Sequence, residues 1–169
     1  MTRETPSAPL LRADSADPAT TIPDRSEIGG FALHHQLSDD TLEMGRLALS
    51  RLLLMNDATY PWLILVPERP AVREIFELQP ADRLLLMEEV ALVSRALDEI
   101  FEPDKLNVAA IGNVVPQLHV HIVARFRSDP VWPAPVWGRT PPYPYTVLAA
   151  EKIRGQLRER LSEALVDNR

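Results

Sequence analysis

The 169-residue chain has four histidines, arranged as two pairs, and one pair stands where it could do chemistry. His119 and His121 belong to the run Gln117-Leu118-His119-Val120-His121-Ile122-Val123. Side chains on a strand alternate between its two faces. Gln117, His119 and His121 therefore share one face. Leu118, Val120 and Ile122 share the other and anchor the strand to a core. Three uses suit two imidazoles aligned in this way. They can be structural, hydrogen-bonded to their surroundings. They can be a metal-ligand pair, since His-x-His on a strand suits imidazole-binding metals. Or one ring can attack phosphorus while its neighbours hold oxygens. A metal needs a third and usually a fourth ligand. The chain has no cysteine, and this strand carries no acid before Asp129, so only His34 and His35 remain as imidazole donors.

The elements that must position these residues follow from pattern. Thr41 to Asn56 reads as two short strands, with Gly45 as the break. Trp62-Leu63-Ile64-Leu65-Val66-Pro67 is a short apolar strand between Pro61 and Pro67, consistent with burial on both faces. Pro80 to Phe101 is the clearest helix. Pro80 suits the first helical position, and Asp82 favours the dipole there. Leu86, Val90, Val93, Leu97 and Ile100 form one apolar stripe. Lys105 to Ile111 and Leu118 to Phe126 read as strands joined by a turn at Gly112-Asn113. Val147 to Val166 reads as an amphipathic helix with Ile153, Leu157, Leu161 and Leu165 on one side. Phe31 to Leu37 reads as a weak extended segment. Strands, helix, strands, helix, without regular alternation, predict an α+β domain with an antiparallel sheet.

The run from Gly112 to Arg125 resembles the signature strand of the histidine triad (HIT) superfamily of nucleotide hydrolases and transferases. That signature is His-φ-His-φ-His-φ-φ, with φ apolar, after a Gly-Gln or Gly-Asn turn. Leu54-Met55-Asn56-Asp57 together with 62–67 resembles the family's nucleoside-binding strands. The resemblance implies a HIT-like sheet with one main helix and a C-terminal helix. It implies His119 as nucleophile on an α-phosphorus, with a nucleotidyl-imidazole intermediate that passes to water or another acceptor. Gln117 stands where the first His of the triad would be. Gln can donate and accept, so an orienting role survives, but it cannot titrate. In the same scheme His121 and Asn113 hold phosphate oxygens, and backbone N–H groups after Gly112 assist. Asn56 binds ribose hydroxyls, and Arg125 steers phosphates. The substrate implied is a small purine nucleotide conjugate, a dinucleoside polyphosphate or a nucleoside phosphoramidate, acted on by a homodimer without a cofactor or catalytic metal. The alternatives are a non-catalytic nucleotide-binding protein that has lost turnover through Gln117, and a metal-dependent strand enzyme.

Composition bounds the rest. Hydrophobic residues make up 46% of the chain, enough for a real core. The absence of cysteine excludes a disulfide scaffold, thiolate metal sites and a cysteine nucleophile. A net charge of -6 argues against a nucleic acid polymer as partner, yet allows a small anionic substrate in a locally positive site. No apolar run is long enough for a secretory signal or a membrane span, so the reading is a cytoplasmic protein. Residues 1–27, rich in Pro, Ser, Thr and Ala, read as a loose tail. Residues 28–128 read as the HIT-like domain. Residues 129–169 read as a Pro- and Trp-rich loop plus helix packed on that domain. Trp132 and Trp137 in this loop either cover a base or pack. Asn107 either caps a strand or lines the pocket. His34 and His35 read as structural or surface residues.

Overall fold

The computed structural model describes residues 30–166, so the tail expected at 1–27 lies outside them. The chain runs through α1 (His35–Asp40), β1 (Thr41–Arg46), β2 (Ser50–Met55), β3 (Trp62–Pro67), a 3₁₀ turn (Ile75–Glu77), α2 (Pro80–Phe101), β4 (Lys105–Ala109), β5 (Val120–Arg125) and α3 (Val147–Arg160). The strands form one antiparallel sheet in the order β1-β2-β3-β5-β4. This is the α+β architecture that the pattern predicts.

The sheet is covered on both sides, which explains the apolar run of β3. On one face Leu52, Leu54, Leu63, Leu65, Val120 and Ile122 meet the stripe of α2 and Ile153, Leu157 and Leu161. On the other, Leu53, Ile64, Val66 and Val123 gather Leu37, Tyr60, Trp62 and Val136. The histidine face of β5 belongs to this second layer. Helix α2 also carries a buried carboxylate. Glu89 Oε1 accepts the backbone N–H of Leu49 at 2.7 Å and that of Ser50 at 3.4 Å, closing the β1–β2 turn. Within β1, Gly45 does not end the strand as expected. It sits in the β1–β2 ladder at a register shift. A Cβ there would meet the Leu165 side chain at 2.8 Å, so only glycine leaves Leu165 its seat.

Three further expectations need correction. The segment ending at Leu37 is not extended, because α1 begins at His35. His34 caps it, its ring Nδ1 accepting the Gln36 N–H. The histidine strand begins at Val120 rather than Leu118. Pro116 has no N–H for a ladder, and the Leu118 N–H bonds to Val72 O instead of a strand partner. The C-terminal helix ends at Arg160 rather than Val166, because the chain turns there and the Val166 N–H bonds to Arg46 O on the edge strand β1.

Candidate functional site

His119 and His121 are the centre of the site. Both rings are buried, 5% and 4% exposed, and they meet edge to face with centroids 4.8 Å apart. Their environments differ. His119 Nδ1 lies 2.6 Å from the main-chain oxygen of Gln117. A carbonyl can only accept, so Nδ1 carries the proton and the Nε2 lone pair is free. Gln117 thus orients the nucleophile candidate, but through its backbone. Its side chain has other work. Oε1 accepts the His34 N–H at 2.9 Å, and Nε2 donates to Ala32 O at 2.8 Å. The amide pins the segment that leads into α1.

His121 is held at Nδ1, where Trp62 Nε1 donates at 2.9 Å. Trp62 and Trp137 flank the ring, each edge to face. Burial, and to a lesser degree the nearby His119, push the His121 pKa down to about 3. The ring is therefore neutral near pH 7. Register accounts for the arrangement: His121 pairs with Ile64, and Trp62, two residues earlier on β3, lies on the same face.

His119 opens on a cavity of about 370 Å³ whose wall includes Gly112, Asn113, Pro116, Gln117 and Arg73. Gly112 is needed there. A Cβ would come within 3.2 Å of Val115 O, tightening a turn that already approaches its own backbone. A second cavity, about 330 Å³, lies beyond Trp62. Asn56, Asp57, Asp40 and Val136 line it. Asn56 belongs to this one, not to the His119 cavity. Its Oδ1 accepts the Tyr145 N–H at 2.9 Å, which leaves its Nδ2 as the donor available to a ligand. Asp57 accepts from the backbone N–H groups of Thr59 and Tyr143. Burial and the Asp57 charge push the Tyr145 phenol up to about 12, so it stays protonated beside the Tyr60 carbonyl.

Arg125 stands apart from the two cavities. Only 1% exposed, it donates to Asp129 Oδ2 at 2.7 Å, Asn107 Oδ1 at 2.9 Å and Ala134 O at 3.0 Å. Its guanidinium ties β5 to β4 and to the Pro- and Trp-rich loop, which corrects the expectation that it steers phosphates. The same bond settles Asn107, which serves Arg125 and does not line the pocket.

Sequence reasoning passed over Trp62 as a site residue. Its signal was faint: a polar ring tip on the same strand face as Ile64, whose neighbour across the sheet only the register reveals. It also set His34 aside. Its ring stacks on His35 at 4.4 Å, and burial, His35 and His119 hold its pKa below the ordinary value. Trp137, weighed only as a base cover or packing residue, is the second wall of His121.

Comparison with known proteins bears on family and fold. The model of the HIT domain matches residues 40–128. Among solved structures, a histidine triad protein from Bradyrhizobium japonicum is 47% identical with a TM-score of 0.76, covering 78% of this chain and 98% of that one. One from Marinobacter aquaeolei is 45% identical with a TM-score of 0.78, covering 80% and 99%. One from Sinorhizobium meliloti is 41% identical with a TM-score of 0.76, covering 78% and 97%. No curated protein matches the chain. Among the described residues no helix is long and apolar enough to cross a membrane. A family model over more than half of the chain settles kinship: this chain belongs to the histidine triad family of nucleotide-binding proteins, which includes hydrolases and transferases.

Proposed function

We propose that the protein is a nucleotidyl hydrolase or transferase that attacks the α-phosphorus of a small purine nucleotide conjugate through His119. One observation carries the reading. The Gln117 carbonyl holds the Nδ1 proton of His119, so the opposite nitrogen presents its lone pair beside the Gly112-Asn113 turn. Attack makes the ring cationic, and the same carbonyl then stabilises the Nδ1–H of the charged adduct. The attacking imidazole must be neutral, with its lone pair free.

The other residues divide the work. Asn113 and the backbone N–H groups after Gly112 hold non-bridging oxygens, where charge stabilisation dominates catalysis. His121 positions His119 as a neutral packed ring. Asn56 offers Nδ2 to the ribose in the neighbouring cavity. Gln117, in the place of a first triad histidine, keeps the entry segment against the site. No cofactor takes part in this scheme. Such a substrate suits a cytoplasmic protein. The homodimer expected from the family has a free edge to use: β4 ends the sheet and presents exposed Val108.

The decisive experiment traps the intermediate. With a radiolabelled adenylyl substrate, the parent gives an acid-labile, base-stable protein adduct, and His119→Ala gives none. A variant that labels and turns over like the parent refutes the assignment. Binding of AMP without turnover of any adenylyl conjugate supports the non-catalytic reading instead.

A further inference from the structure

Two features of the His119 cavity bear on what departs from phosphorus. The first is a charge. Arg73 lines the cavity together with His119, Gly112 and Asn113. Its side chain is exposed, and among the described residues its guanidinium has no ion-pair or hydrogen-bond partner. Only its backbone N–H is engaged, by Glu77 Oε2 at 2.8 Å. Glu74 lines the same wall, but a capping box at the 3₁₀ turn directs its carboxylate onto the Glu77 N–H. The cavity, which is not the one that Asn56 lines, therefore offers one uncommitted cation.

The second feature is the lack of a proton donor. An amine or alkoxide leaves phosphorus only with a proton. A terminal phosphate leaves as an anion, since its second pKa is about 6. Near His119 no group among the described residues is set to supply that proton. His121 is neutral, its Nδ1 accepting the Trp62 N–H. The Gln117 amide does not titrate, and a guanidinium does not release its proton. His34 uses Nδ1 as an acceptor toward the Gln36 N–H, which marks it as neutral too. The Nδ1 proton of His119 is committed to the Gln117 carbonyl.

We infer that the Arg73 side of the cavity is a leaving-group subsite for a polyphosphate tail. The substrate class is then a nucleoside polyphosphate anhydride rather than a phosphoramidate. This rests on the reading in which His119 attacks the α-phosphorus. The His119 Nε2 lone pair forms the N–P bond. The bond from α-phosphorus to the bridging oxygen breaks, and its electron pair departs on the polyphosphate, opposite Arg73. Water oxygen then bonds to phosphorus, the N–P pair returns to Nε2, and one water proton passes to solvent.

The test compares diadenosine tetraphosphate with adenosine 5′-phosphoramidate on the parent and Arg73→Ala. The parent is expected to prefer the anhydride in kcat/KM by tenfold or more. Arg73→Ala should lower kcat/KM for the anhydride about tenfold, the scale of one phosphate-clamping cation, and leave the phosphoramidate unchanged. A parent that prefers the phosphoramidate overturns the inference, as does an Arg73→Ala protein with unaltered anhydride kinetics. The adduct assay keeps the two ideas apart. If the parent forms no adduct, the catalytic reading fails, and calorimetry with inorganic tripolyphosphate still reads the subsite. Weaker binding by Arg73→Ala then supports it, and equal binding overturns it.

Discussion

At the scale of single residues, one bond of 2.9 Å ties the His121 ring to Trp62. The Trp62 N–H stabilises the neutral ring by donating to its lone pair. Trp62→Phe keeps an aromatic wall and deletes that donor, so the His121 pKa should rise from about 3 while burial still holds it below 6.5, as an NMR titration of the imidazole would read. The buried Nδ1 left without a partner should cost about 1–3 kcal/mol in a denaturant melt. The histidine row was legible because alternation needs only the sequence. The role of the Gln117 carbonyl was not, because every residue type carries the same main-chain oxygen. Arg125 misled for a related reason. A charge at a strand end looks exposed, whereas its partners come from strand β4, with Asn107, and from the loop that follows β5, with Asp129 and Ala134.

At the scale of elements, α2 and β3 were readable from their own stripe and run, and both were found over the residues expected. Helix α1 was not. Six residues with one buried position, Leu37, give no measurable period, and its ends depend on the His34 cap and the Thr41 hydroxyl, which donates to Leu37 O at 2.6 Å. The β1–β2 hairpin depends on a residue far along the chain. Glu89→Ala leaves the buried N–H groups of Leu49 and Ser50 without their acceptor. That variant should lose about 1–3 kcal/mol of unfolding free energy. Hydrogen exchange at Leu49 should rise with it. If those amides keep their protection, the carboxylate is not the clasp.

At the scale of the whole molecule, two groups link distant parts. Arg125→Lys should destabilise the protein by roughly 3 kcal/mol, because a lysine cannot reproduce three directed bonds and leaves Asp129 poorly paired. The loop bearing Trp137 should loosen too, visible as faster proteolysis within 129–145. The second link is to pH. His121 has a folded pKa of about 3 against an ordinary 6.5, so the unfolded chain binds its proton first. Stability is therefore full above pH 6.5 and falls as pH drops from 6.5 toward 3, by up to about 1.4 kcal/mol per unit. His34, also lowered, adds to this slope. Between pH 6.5 and 5, above the carboxylate range, His121→Gln should show a shallower slope in chemical melts, and an unaltered one would remove His121 from the account.

The crowding of indoles near this one spot has a practical corollary. Trp62 and Trp137 press their edges against His121, and the third tryptophan, Trp132, lies over the Arg125 guanidinium at 5.7 Å. All of the chain's tryptophan emission thus originates beside the histidines or the clamp behind them. The protein carries its own optical reporter: an unlabelled sample should announce ligand arrival, imidazole charging or loop release as a change in colour or brightness.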